Sequence, residues 1–202
     1  VSAAAERAAA DIGLPLSQVN LVIAHLDDVI TTAAVRGGTI IDGTVSPLGE
    51  GPFTLQAAGS LPARHLIDLC FSGRFTRDEL IVELTKRGGL RSYLGTDLME
   101  EVERRIAGGD DRACAAAEAM VYQIAKEIGR AFVAAGCDVE MIVLTGSLTR
   151  SSWMQAALRR RVIRLAPVTV YKDLTAMTAL AHGAVEVLSG RREPFPDKAS
   201  EQ

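Results

Sequence analysis

Two short stretches of this sequence carry residue types that could do chemistry. The first is His25-Leu26-Asp27-Asp28-Val29-Ile30-Thr31, where an imidazole and two adjacent carboxylates close an apolar run. Carboxylate oxygens are hard ligands, so Asp27 and Asp28 could hold a divalent cation. Without a cation the same pair is a solvated acidic turn that repels anions. His25 reads either as a site residue or as a satisfied core histidine. The second stretch is Leu144-Thr145-Gly146-Ser147-Leu148. Its glycine permits a sharp bend and a close backbone approach, and hydroxyls flank it on both sides. The blander reading is a tight strand-to-helix turn capped by Ser147 or Thr149. Neither stretch identifies a catalytic residue.

The elements that must position these residues can be read in order. Residues 2–11 are alanine-rich and helical, closed by Gly13 and Pro15. Apolar runs at 20–26 and 29–36, then 39–42, read as three strands, with Gly37-Gly38 as a hairpin turn. Residues 43–62 hold four glycines and three of the seven prolines, which predicts an ordered loop. Helices are expected over 61–71 and 97–107. Thr76 with Glu79 has the spacing of a capping box. A long helix over 110–135 repeats Ala113, Ala117, Met120, Ile124, Ala125, Ile128 and Phe132 on one face. Strands at 140–145 and 168–171 then alternate with helices at 151–161 and 174–188, the pattern of parallel strands joined by crossovers. The expected fold class is α/β, a mixed five-stranded sheet flanked by helices: the ribonuclease H-like half-domain of actin-like ATPases. Residues 1–190 form the domain, with a helical insertion at about 61–110, and 191–202 form a polar, disordered tail.

The bulk numbers exclude several classes. With 202 residues, a formal charge of −3 and 48% hydrophobic residues, the chain reads as one soluble globular domain. Mild acidity offers no attraction for nucleic acid or an anionic membrane. No run approaches the roughly 18–20 apolar residues that cross a bilayer, and the start lacks a signal-peptide layout. Cys70, Cys114 and Cys137 are odd in number and lack metal-ligand spacing. They read as buried free thiols in a reducing cytoplasm.

Several segments, taken in order, resemble the C-terminal half of butyrate kinases, relatives of acetate and propionate kinases. They are Glu50-Gly51-Pro52-Phe53, Ala58-Gly59-Ser60-Leu61-Pro62, Leu66-Ile67-Asp68-Leu69-Cys70-Phe71-Ser72-Gly73, and Gly88-Gly89-Leu90 with Tyr93-Leu94-Gly95-Thr96. Ala119-Met120-Val121-Tyr122-Gln123-Ile124-Ala125-Lys126-Glu127-Ile128-Gly129 completes the set. The resemblance runs from Ala3 to about Leu188. It implies a reaction in which ATP and a short carboxylate give ADP and an acyl phosphate, with magnesium. Such phosphoryl transfer depends on positioning and charge neutralisation.

The site motifs depart from that family. Where it has the phosphate loop His-Leu-Gly-Gly-Gly-Ile-Ser, this chain has His25, Asp27, Asp28 and Thr31. One carboxylate about 5 Å from a phosphate charge, at an effective dielectric near 20, repels by roughly 3 kcal/mol, on the order of a hundredfold in affinity. The family arginine falls on Ala57, with Arg64 as a distant substitute or a plain surface residue. The nucleoside turn Leu-Thr-Gly-Gly-Ile falls on Thr145, Gly146 and Ser147. The metal-linked glutamate falls on Ala176. Asp68, Arg91 and Asp97 read as helix-capping or ion-pairing residues.

Half a cleft with altered charge predicts a degenerate, non-catalytic domain acting by association, as a homodimer or with a kinase chain. The resemblance makes this the dimer-forming half, and the apolar face of the 110–135 helix is the expected contact. The alternative is the C-terminal half of a working carboxylate kinase whose N-terminal half lies elsewhere; ATP and magnesium belong to that reading only. A third reading has the acidic loop take a cation or an amine.

Overall fold

The computed structural model describes residues 1–44, 51–191 and 193. Helix α1 (Ser2–Ile12) ends on Gly13 in the left-handed conformation, φ 80°, the usual glycine stop. A 3₁₀ turn leads into β1 (Leu21–Leu26), β2 (Ile30–Arg36) and β3 (Thr39–Thr44). Gly37 and Gly38 turn between β2 and β3 with φ of 54° and 75°, values at which a side chain is strained. Strand β3 runs two residues past the expected end. Thr44 Oγ1 lies 3.0 Å from Thr32 Oγ1, both buried, and a buried hydroxyl pair that satisfies itself holds the strand in place. Of the loop expected at 43–62, residues 45–50 lie outside the described residues, as does the expected tail apart from Arg191 and Glu193.

The middle of the chain is helical: α2 (Ala63–Cys70), α3 (Arg77–Lys86), α4 (Gly89–Leu94), α5 (Met99–Ala107) and α6 (Asp111–Ala134). The Thr76–Glu79 capping box opens α3 with both reciprocal bonds formed. Helix α4 was not legible: its six residues open on Gly89, with Gly88 as N-cap, and are too few to show a helical period. Then come β4 (Met141–Thr145), α7 (Ser152–Val162), β5 (Val168–Tyr171) and α8 (Ala176–Leu188).

The sheet order is β3-β2-β1-β4-β5. Strands β1, β2 and β3 are antiparallel neighbours, while β4 runs parallel to both β1 and β5. The carboxyl ends of β1, β4 and β5 therefore share one edge, together with the β1–β2 turn. One face of the sheet packs against α4 to α7 through Val22, Ala24, Ile142 and Leu144. The other packs against α1 through Leu21, Ile23 and Val143.

Three expectations need correction. The apolar face of α6 is not free for a partner: Ala113, Ala117, Met120, Ile124 and Ile128 are buried in the chain's own core. A wide apolar stripe is what a helix against a sheet requires, so periodicity could not separate the two uses. The helix after β4 is capped by Ser151, whose hydroxyl accepts from Met154 N–H at 2.9 Å. Ser147 and Thr149 instead occupy a 3₁₀ turn, Ser147–Arg150. The cysteines are free but not buried: Cys70 and Cys137 are exposed and Cys114 is half-buried. The general preference of thiols for interiors gave way to position, Cys70 on a helix with no buried residue and Cys137 in the left-handed turn after α6, φ 61°. Among the described residues, no helix is long and apolar enough to cross a membrane.

Candidate functional site

Strand register assembles the site. His25 pairs with Thr31 on β2 and with Thr145 on β4, and Thr145 pairs with Tyr171 on β5. Paired residues stand side by side on one face of a sheet. These four form a polar row at the carboxyl edge, on the face that carries α1. Outside the carboxyl ends of parallel strands is where α/β sheets bind ligands. A cleft of about 310 Å³ opens there, with His25, Thr31 and Thr145 as its floor and Ala4, Ala176 and Leu180 in its walls.

His25 has two partners that sequence could not supply. Its Nδ1 lies 2.8 Å from Thr145 Oγ1, and its Nε2 lies 3.6 Å from Asp27 Oδ2. The carboxylate beside Nε2 favours the proton on that nitrogen, which leaves Nδ1 to accept from the threonine hydroxyl. Burial lowers the His25 pKa and outweighs the opposing pull of Asp27. The neutral ring is thus the folded form. Its stabilising contribution is present above the unfolded value near 6.5 and is lost as pH falls through the lower folded value. In an NMR titration, His25 is expected to titrate below the ordinary histidine range, and Asp27→Asn to lower it further. A value at or above the ordinary range would mean that Asp27, not burial, dominates.

Asp27 joins the two candidate stretches. Its Oδ1 accepts from Ser147 Oγ–H at 2.6 Å and from Asp28 N–H at 3.3 Å. The β1–β2 turn and the turn after β4 are therefore bridged, although 120 residues separate Asp27 from Ser147. Asp28 is exposed. The β1–β2 turn needs no glycine, since Cys137 is the single non-glycine residue with positive φ among those described.

Gly146 has a local reason. With φ at 94°, it passes so close to the end of β1 that a Cβ would fall 2.7 Å from the carbonyl carbon of Leu26 and closer still to its oxygen. The close approach at this turn is taken by the chain's own backbone at the end of β1. Thr149 Oγ1–H completes the turn by donating to Gly146 O at 2.7 Å.

The other expected positions separate. Ala176 opens α8 and lines the cleft beside His25, so that position faces the site and offers it no charge. Ala57 is buried in the loop of residues 51–60, where its N–H donates to Thr54 Oγ1 at 2.9 Å. Arg64 is a surface residue on α2, 4.0 Å from Asp68. Arg91 pairs with Asp97 at 3.0 Å. Among the described residues, no group of three or more His, Cys, Asp or Glu is placed to hold a metal. Asp27 is engaged by Ser147, and Asp28 is exposed beside it.

Sequence reading missed the support around the row. Tyr171 O–H donates to Asp11 at 2.5 Å, and burial with that carboxylate raises the phenol pKa. Arg7 stacks on the Tyr171 ring at 4.1 Å and pairs with Asp173 at 2.7 Å. This clasp ties α1 to the end of β5. Glu103 on α5 accepts from Ser151 Oγ–H at 2.6 Å and from Trp153 N–H at 3.2 Å, holding the start of α7. No short motif announces such contacts.

Comparison with known proteins follows the same lines. The model of the acetokinase family matches residues 2–190. The chain is 38% identical over 195 residues to probable butyrate kinase 2 of Caldanaerobacter subterraneus subsp. tengcongensis, covering 96% of this chain and 54% of that protein. It is 36% identical over 191 residues to butyrate kinase 2 of Clostridium acetobutylicum, covering 95% and 54%. The chain spans about half the length of the curated relatives it matches. Among solved structures, acetate kinase from Entamoeba histolytica superposes with a TM-score of 0.77 at 14% identity, over 93% of this chain and 56% of that one. At that identity the likeness concerns the fold, which is the actin-like ATPase half-domain.

Proposed function

The chain belongs to the acetokinase family, and from that premise we propose that it is a butyrate kinase-like C-terminal domain that does not hold nucleotide phosphate and acts by association, as a homodimer or with a kinase chain. The observation that carries this reading is Asp27. It sits between the β1–β2 turn and the Gly146 turn, bonded to Ser147 and facing His25. A phosphate brought to this edge meets a carboxylate, with Asp28 beside it. Ala176 supports the same reading, since among the described residues the lining of the cleft offers no acid that could bind a cation and offset that repulsion. Association is supported by α8, an apolar helix with no buried residue, on which Met177, Leu180 and Leu188 are 75%, 69% and 87% exposed. Unpaired Cys70, Cys114 and Cys137 support a cytoplasmic setting.

One observation favours the alternative, the C-terminal half of a working short-chain carboxylate kinase. His25 and Thr145 face an open cleft rather than a filled one. Mixing the chain with the N-terminal half of a butyrate kinase, then trapping acyl phosphate as hydroxamate, separates the two. The expected result is no product together with a stable complex or a homodimer by light scattering. Hydroxamate formation above the level of either half alone overturns the proposal.

A further inference from the structure

Helix α6 carries a charged ridge beside the end of α7. Glu118, Tyr122 and Lys126 follow one another at four-residue steps, which sets them side by side along α6. Helix α7 closes on Arg159, Arg160 and Arg161, and Arg164 stands in the turn beyond it. Two of these arginines reach the ridge. Arg161 pairs with Glu118 at 2.7 Å, and Arg160 with the same carboxylate at 3.5 Å. The Arg161 guanidinium also lies 5.7 Å from the centre of the Tyr122 ring, and Lys126 Nζ lies 5.6 Å from it. Both helices pack on the sheet face opposite α1, so the patch lies across the sheet from the His25 cleft.

Arginines in a last turn are expected from the helix dipole. That effect does not account for Lys126, which is in the middle of α6, or for two cations converging on one ring. Three cations meet a single carboxylate here, which leaves two positive charges uncompensated within the cluster. Arg159 and Arg164 are exposed and have no ion pair among the described residues. This concentration of positive charge sits on a chain whose net charge is −3. Tyr122 is 53% exposed, and tyrosine together with arginine is what interface centres favour.

We propose that this patch is a docking surface for a short acidic polypeptide segment of a partner protein. Charge complementarity selects the occupant. Carboxylates of the segment meet Arg160, Arg161 and Lys126, and an apolar side chain covers the Tyr122 ring. Ile163 and Leu165, exposed on either side of Arg164, receive another. A nucleic-acid duplex or an anionic bilayer spreads its charge beyond the patch and meets the chain's overall negative charge. A short segment meets only the local surplus. The partner is not a copy of this chain, and the inference does not depend on the state of the cleft.

Fluorescence anisotropy on the intact chain tests this with a labelled Glu-Glu-Leu repeat peptide and its Gln-Gln-Leu counterpart. The acidic peptide is expected to bind at least about tenfold more tightly than the neutral one, and to weaken as salt rises, since these charges lie at the surface. Arg160→Glu and Lys126→Glu should each weaken it about tenfold. Arg77→Glu, an equal change of charge on the exposed start of α3, should leave it unchanged. Glu118→Gln should tighten it about threefold, a gain that a purely structural role for Glu118 would not produce. Equal binding of the two peptides, an equal loss in Arg77→Glu, or no gain in Glu118→Gln overturns the patch. A labelled DNA duplex or phosphatidylserine vesicles binding as tightly as the acidic peptide overturns the choice of partner. None of these outcomes alters the proposed function, which is tested by product and complex formation with the N-terminal half.

Discussion

Gly146→Ala is expected to destabilise the chain by about 3–5 kcal/mol, a large share of the roughly 5–15 kcal/mol that holds a domain folded. Two effects combine. Holding a non-glycine residue at positive φ costs roughly 1–2 kcal/mol. The new methyl must also displace the backbone at the end of β1, whose carbonyl carbon and nitrogen lie 2.7 and 2.8 Å from its ideal position. Overpacking of a side chain costs about 1–3 kcal/mol, and backbone in the middle of a sheet yields less readily. Gly13→Ala is the control. Gly13 also has positive φ, 80°, but nothing lies within 4 Å of its added Cβ, so about 1–2 kcal/mol is expected. Urea unfolding of both variants decides the matter. Equal losses would mean that crowding against Leu26 is not what requires a glycine, and the case for a ligand-facing role of that turn would return. The expected difference makes Gly146 a structural residue, so its retention says little about nucleotide binding.

The second large effect concerns charge. In calorimetry with Mg-ATP at about 1 mM, where a dissociation constant of that size corresponds to about −4.1 kcal/mol, the parent chain is expected to give no binding heat. Asp27→Asn with Asp28→Asn should tighten binding on the order of a hundredfold or more, given roughly 3 kcal/mol of repulsion per carboxylate near a phosphate. Asparagine keeps the shape of the turn while removing its charge. A further variant with glycine at both positions separates charge from conformation. The turn contains no positive φ, so glycine should add little beyond the neutral variant. Micromolar binding by the parent, or no gain in the neutral variant, would remove the electrostatic basis of the proposed function.

These expectations sit on unequal foundations. Family and fold class were legible because they are carried by ordered local segments: apolar runs of strand length, three- and four-residue steps along helices, and turn residues such as Gly37-Gly38. The acidic pair Asp27-Asp28 was equally plain, since charge is a property of residue type. Identity of neighbours was not. The long repeat on α6 was legible as an apolar face, yet periodicity reports only that a face is buried. What buries it, here the sheet with α5 and α7, depends on packing.

The sequence by itself determined the order of the strands and of the helices other than α4, the acidic pair at 27–28 and the absence of an acid at 176. Tertiary structure alone decided what those residues do. Strand register set His25 beside Thr145 and brought Asp27 to Ser147, each pair 120 positions apart in the chain. Crossover of the backbone at the end of β1 gave Gly146 its reason, and among the described residues no element buries α2 or Cys70. Hydrophobic spacing and turn chemistry act over a few residues. Contacts across a sheet follow from register and connection, which no local spacing records.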